Sequence, residues 1–320
     1  MAMVNTVNGP IDSAQLGFTL MHEHIVSLDH GLRDVWPELF DREAIVRQAG
    51  GAVGAARAAG VDTIVDLSTI DMGRDVRLVA EAIAQSGMQA IVATGAWLRP
   101  PRYFSSRSPD VPAALFVKDI EQGIQDTGVK AGIIKVACND AQLGGVFDTT
   151  FRAAARAQRR TGVPISTHTN ALVRSGLDQQ RVFLEEGVDL TRTIIGHSAD
   201  TPDLDYLKQL LDRGSYLGMD RFGMEHFEGQ QLLDNQRRVQ VIAELCRQGY
   251  ANQIVLSHDA SGYSDARSAE FTAQHWPNWR YTYVPQTVVP ALLEAGVTAA
   301  QIELLTRGNP RAIFERSGGY

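Results

Sequence analysis

Cysteine is scarce: the 320 residues hold two, Cys138 and Cys246, far apart and each in an apolar stretch. That excludes a disulfide framework and leaves two buried thiols as the reading. Positive charge is in deficit, with 30 Lys and Arg against 37 Asp and Glu for a formal charge of -7. Such a chain offers no basic field to a phosphate backbone or an anionic lipid surface, so nucleic acid and membrane drop out as partners. No run approaches the ~18 apolar residues of a spanning helix. The segment Met1–Gly17 has neither the cationic stretch nor the apolar core of a secretory leader, so a cytoplasmic location is expected. Linkers, low-complexity tracts and charge blocks are also missing, which predicts one domain over residues 1–320. Nor does a glycine-rich dinucleotide loop follow the first apolar run. Gly50, Gly51 and Gly54 lie in an Ala-rich helical pattern without a phosphate-loop lysine, which excludes nucleotide binding.

Against these absences stands a regular alternation. Eight short apolar or β-branched runs occur at Gly17–Met21, Thr63–Leu67, Ala90–Thr94, Gly132–Val136, Pro164–Thr167, Thr193–Ile195, Ser215–Met219 and Ile254–Leu256. Between them lie stretches of helical period such as Ile45–Ala59, Val76–Gln85, Phe151–Arg160, Asp178–Glu186, Asp203–Leu211 and Arg237–Gln248. Several end in a glycine followed by a strand, as at Gly60, Gly162 and Gly187, the pattern of a left-handed helix stop. Eight strand–helix units with fully apolar strands predict an α/β fold, a closed (β/α)8 TIM barrel. The arginines Arg152, Arg156, Arg159 and Arg160 share one helical face opposite alanines and read as a solvated outer surface.

In such a barrel the chemistry gathers at the carboxyl ends of the strands. Polar residues stand there in order: His22 and His24 after the first run, Lys135 inside the fourth, His168 after the fifth, His197 after the sixth and Asp259 after the eighth. Two residues apart on a strand, His22 and His24 share one face, which suits a metal, although a lone pair of this kind is commonly structural. Four of the eight histidines at strand ends that converge on one point is a different matter. Lys135 is either snorkelling or ion-paired, or it is a desolvated neutral amine that adds carbon dioxide to give a carbamate spanning two cations. Asp259 is either a turn residue or a metal ligand that takes a proton from bound water. His258 should point the other way by strand alternation.

The segments Gly17-Phe18-Thr19-Leu20-Met21-His22-Glu23-His24, Asp126–Lys135, Thr161–His168 and Ile195-Gly196-His197 resemble the phosphotriesterase family of the amidohydrolase superfamily, over nearly the whole chain. The resemblance implies a binuclear metal centre, with zinc first and cobalt, iron or manganese as alternatives. It places His22, His24 and Asp259 on the buried ion, His168 and His197 on the exposed one, and carboxylated Lys135 between them. Gly218-Met219-Asp220-Arg221-Phe222-Gly223 is similar to the seventh strand of the family's lactonases, whereas Trp97 stands where many of those carry tyrosine.

The resemblance therefore implies a lactonase for hydrophobic lactones, N-acyl-homoserine lactones included, with phosphotriester hydrolysis on the side. A dedicated phosphotriesterase and a silent ligand-binding barrel are the alternatives. Asp259 would accept the proton of the attacking hydroxide. Asp200 would either relay it outward or cap a helix, and Trp97 or Arg221 would steady the oxyanion. The pocket is expected from Trp97, Leu98, Arg221, Phe222, Tyr263, Trp276 and Trp279, with Tyr103, Phe104 and Met224 nearby. Relatives of this kind are usually homodimers, the assembly the resemblance implies.

Overall fold

The computed structural model describes residues 2–227, 229–315 and 318–320. Its strands are short because both faces are covered: β1 (Thr19–Ser27), β2 (Thr63–Asp66), β3 (Gln89–Ala96), β4 (Ile133–Cys138), β5 (Ile165–Thr169), β6 (Thr193–Ile195), β7 (Tyr216–Met219) and β8 (Ile254–Leu256). Each is buried along nearly its whole length, as parallel strands beneath helices must be. A ninth strand, β9 (Ser261–Ser264), continues the eighth position. The pairing order is β8-β7-β6-β5-β4-β3-β2-β1-β9, parallel throughout. Since β8 and β9 are successive pieces of one strand, that order closes the sheet into the expected barrel.

Seven helices cover the outside: Arg42–Ala58, Val76–Ile83, Asp110–Glu121, Gly145–Thr161, Gly176–Glu185, Leu204–Asp212 and Asn235–Arg247. Their apolar stripes meet the outward faces of the strands in one continuous core. A second cluster fills the barrel interior, with Met21, Val65, Ile91, Ile133, Ile194 and Val255 from the strands. Its floor is completed by Val4, from an amino-terminal hairpin (Met3–Thr6 with Gly9–Asp12), and by Ile313 and Phe314 of the last helix. The interior is thus packed at one end and open only at the other. No helix among the described residues is long and apolar enough to cross a membrane.

Two departures from the sequence reading bear on the site. The first strand starts at Thr19 and runs through Ser27, so His22 and His24 lie within it rather than beyond its end. Its pairing with β2 slips by one residue between Leu20 and Glu23. This extra residue lets Met21 fill the floor while His22 and His24 still face inward above it. The eighth position is also longer than expected, interrupted at Ser257–Ala260, where the chain turns inward before pairing with β1.

Candidate active site

Close approach of the strands sets the frame. Gly95, opposite Lys135, lies where a Cβ would strike the Lys135 carbonyl, and Gly196 lies where one would strike the Thr167 carbonyl. Beyond these contacts His197, Arg221 and Asp259 adopt left-handed backbone (φ 56°, 65° and 59°), three of the six such non-glycine residues described. Left-handed turns at the ends of β6, β7 and β8 tip these side chains over the barrel axis. This cost in backbone strain is typical of a functional site.

The imidazoles are aimed by their outer partners. His22 Nδ1 donates to Asp220 Oδ2 at 2.8 Å and His197 Nδ1 to Asp220 Oδ1 at 2.7 Å. Both rings therefore turn Nε2 toward the axis. His168 donates Nε2–H to Asn139 Oδ1 at 2.8 Å and so presents Nδ1. His24 Nδ1 pairs with Ser68 Oγ at 3.0 Å, and its Nε2 lies 3.0 Å from Asp259 Oδ1. His22 Nε2 lies 3.2 Å from the same oxygen and 3.2 Å from Lys135 Nζ, and His197 Nε2 lies 2.8 Å from His168 Nδ1. These nitrogens and a carboxylate oxygen converge at hydrogen-bond distance, an arrangement that a cation held among them would also satisfy. The donor set, imidazole nitrogen with carboxylate oxygen, is that of zinc and its neighbours. Ligand atoms of His22, His197 and Asp259 fall within 4.8 Å of one another, a candidate metal site.

Protonation favours the same chemistry. Burial, reinforced by neighbouring cations, holds His168 well below the usual imidazole range and brings His197 down to about 4, so both rings are neutral near pH 7. Lys135 is 1% exposed, and burial lowers its ammonium to about 8 against the pull of Asp259 and Asp220. Asp220 and Asp259 stay ionised: burial alone would raise them, but His22 and His197 outweigh it and hold both well below the ordinary carboxylate range. The six expected ligand residues are thus brought together, and His258 turns away to donate to Glu23 Oε1 at 2.6 Å.

Two further residues belong to the site that the sequence reading does not single out. Asp220 orients two rings at once. Arg238, fully buried, donates to the carbonyls of Arg221 and Met224 at 2.5 and 2.8 Å and to Asp200 Oδ1 at 3.1 Å. Arg221 reaches Asp200 Oδ2 at 2.6 Å and Asp259 Oδ2 at 3.2 Å. Asp200 caps no helix, since Asp203 does so by accepting from Tyr206 N. An arginine lies between Asp200 and Asp259, and a guanidinium does not give up its proton, so direct relay between the two carboxylates is blocked and Asp200 acts as the anchor of Arg221.

Above the cluster opens a cavity of about 610 Å³. Of the expected wall, Trp97, Arg221, Met224 and Trp279 line it. Leu98, Phe222, Tyr263 and Trp276 do not. Leu98 lies half-buried in the bend after β3 between the lining residues Trp97 and Arg99. Tyr263 packs outward from β9 between Ser261 and Ser264, while Phe222 is wholly buried beneath the Arg221 turn. Trp276 backs Trp279 edge to face, its Nε1 donating to the His226 carbonyl. Tyr103 is exposed, and Phe104 packs against Phe116. The wall is completed instead by Leu28, Leu32, Ile70, Met72 and Phe227. Trp97 Nε1 donates to His168 Nδ1 at 3.3 Å, which places an indole N–H beside the cluster.

If Asp220 fixes both tautomers, Asp220→Asn should weaken metal binding by roughly ten- to a hundredfold with the fold intact. Titration of metal-stripped protein checks this, and unaltered affinity would remove Asp220 from the orienting role.

The sequence profile of the phosphotriesterase family matches residues 2–314. A phosphotriesterase homology protein of Mycobacterium tuberculosis is 44% identical over 100% of both chains. An aryldialkylphosphatase of Saccharolobus solfataricus is 36% identical over 95% of this chain and 96% of its own. Among solved structures, that of the phosphotriesterase from Mycobacterium tuberculosis superposes with a TM-score of 0.93 at 45% identity, covering 99% of this chain and 100% of that one. With the likeness running from the amino-terminal hairpin to the last helix, the chain belongs to the phosphotriesterase family of hydrolases.

Proposed function

We propose that the protein is a binuclear metal-dependent lactonase acting on hydrophobic lactones, N-acyl-homoserine lactones among them, with phosphotriester hydrolysis as a side activity. The carrying observation is Arg221, which leaves the end of β7 in a left-handed turn, meets Asp259 and lines the cavity beside the apolar residues Leu28, Met72, Met224 and Phe227. His22, His24 and Asp259 would hold one divalent ion, zinc first, and His168 and His197 the other, with carboxylated Lys135 between them; such ions polarise a carbonyl or phosphoryl oxygen and acidify a bound water. The rest falls to the protein. The neutral amine of Lys135 adds carbon dioxide and releases one proton to give the carbamate. Asp259, ionised and half-buried, accepts the proton of the attacking water. Indole N–H of Trp97 and guanidinium N–H of Arg221 are donors for the oxygen on which negative charge develops. Asp200 and Arg238 keep Arg221 from swinging with each turnover.

A dedicated phosphotriesterase is the second reading, favoured by Trp97, whose ring lines the cavity. Values of kcat/KM for an acyl-homoserine lactone series and a phosphotriester, on protein of measured metal content, separate the two. A phosphotriester preference of roughly tenfold or more overturns the lactonase. Arg221→His is expected to change the lactone-to-phosphotriester ratio by roughly tenfold while metal content stays constant. Equal losses on both substrates would deny Arg221 a part in specificity.

A further inference from the structure

We propose that the rim of the cavity selects substrates bearing an anionic group, a carboxylate in the first instance, remote from the bond that is cut. This rests on the hydrolase reading above and names its substrate class more narrowly.

Charge at the rim is unevenly committed. The carboxylates of the wall all accept hydrogen bonds from the protein, and Asp265 and Asp259 also meet an arginine. Asp71 accepts from the backbone of Trp97 and Arg99 at 2.8 and 2.9 Å and from Thr69 Oγ1 at 2.6 Å. Asp29 accepts from Leu32 N at 3.1 Å. Asp265 takes both arms of Arg33 at 2.7 Å and the Asp29 N–H at 2.8 Å. Asp259 belongs to the metal cluster and Arg221.

Two arginines that line the same cavity have no such partner among the described residues. Arg267, half-buried just beyond β9, has its guanidinium 5.1, 5.7 and 6.0 Å from the ring centres of Phe227, Trp276 and Trp279. It forms no ion pair with any described residue. Aromatic faces hold a cation by its charge but accept none of its directed hydrogen bonds in the manner of a carboxylate, so its donors stay available. The rings are themselves pinned, Trp276 Nε1 to the His226 carbonyl and Trp279 Nε1 to the His258 carbonyl, both at 2.8 Å. Arg267 is therefore held in place before any ligand arrives, which lowers the ordering cost of binding one. Arg99, on the loop after β3, has its backbone tied to Asp71 and its side chain exposed without an ion pair among the described residues.

The cavity thus brings together the metal cluster, the apolar residues Leu28, Met72 and Phe227, and guanidinium groups without an ion pair among the described residues. A substrate matched to it has a scissile carbonyl, an apolar body and a terminal anion that an arginine fork can receive.

The test uses two acyl lactones of equal chain length, one ending in methyl and one in carboxylate, on metal-loaded wild type, Arg267→Gln and Arg99→Gln/Arg267→Gln. Expected at low salt is a kcat/KM ratio favouring the carboxylate by roughly three- to fivefold, the worth of one partly exposed ion pair. Added salt should reduce the ratio, and Arg267→Gln should bring it toward one through KM rather than kcat. Preference for the methyl chain at every salt concentration, or equal loss on both substrates in Arg267→Gln, overturns the proposal. Calorimetric dissociation constants for the two compounds on metal-stripped protein give a binding ratio without turnover. If neither lactone is opened, the lactonase reading fails alone and the binding ratio still decides the anion site. A sulfonate-ended third chain distinguishes a general anion site from one fitted to carboxylate.

Discussion

Lys135→Met is expected to abolish hydrolysis and metal retention together while leaving the metal-free barrel as stable as before or more so. The side chain lies within β4 between Ile134 and Val136, 1% exposed. Its ammonium has no carboxylate within ion-pair distance among the described residues, and its polar neighbour is a ring nitrogen of His22 at 3.2 Å. A buried cation without a direct counter-ion is a liability to the fold, which is why burial lowers its affinity for protons. Methionine has similar length and no charge. By analogy with buried ionic groups replaced by apolar ones, the gain is roughly 0 to 4 kcal/mol, read as an unchanged or higher melting temperature in chelator. Activity should fall by more than about a hundredfold, beyond the usual effect of a residue that merely supports a ligand. Lys135→Ala should lose metal likewise and recover part of it when a short-chain carboxylate occupies the space. Retained metal and activity with a lower melting temperature would make Lys135 a structural lysine and remove the bridging role.

The same contrast between a polar group and an apolar strand makes much of this site legible in the sequence. His22, His24, Lys135, His168 and His197 each interrupt or end a run that otherwise packs on both faces, so they stand out one by one. Asp220 has the same signature, directly after Leu217-Gly218-Met219, but its neighbour Arg221 is the more conspicuous of the two. Arg238 is harder to see among Asn235-Gln236-Arg237-Arg238. Only its helical phase, in line with Val241, Ile242 and Leu245, marks it as inward-facing. The slip in β1 leaves no mark, because a bulge depends on the partner strand as well as on its own residues. Aromatic character is a poor guide to the pocket. Large rings such as Phe222 and Trp276 gain most by full burial, while the open wall falls to Leu28, Ile70 and Met72 of loops whose course no periodicity encodes.

Glu23→Ala should be among the most destabilising single changes in the barrel, although Glu23 touches neither the metal cluster nor the cavity. Its carboxylate is completely buried and receives four donors from one segment: Ser257 Oγ at 2.7 Å, His258 N at 2.9 Å, His258 Nδ1 at 2.6 Å and Ala260 N at 2.9 Å. Ser257 Oγ in turn accepts from His22 N, while Asp259 N donates to the His22 carbonyl. Barrel closure between β1 and the β8–β9 strand thus leans on one side chain of β1 besides its backbone pairing with β9, and so does the left-handed turn that delivers Asp259. His258 cannot find another partner, because its Nε2 already accepts from Val284 N at 2.8 Å. Truncation leaves these neutral donors buried and unmatched at roughly 1 to 3 kcal/mol each, about 3 to 5 kcal/mol in all once the segment relaxes. In a chain of this size that is a fall in melting temperature of about 4 to 7 °C. Metal bound only by the folded state should recover part of the loss, so the drop should be smaller in excess zinc than in chelator. A loss below about 1 kcal/mol in chelator would mean that water or a rearranged loop replaces the carboxylate, and closure of the barrel would then rest on backbone pairing alone.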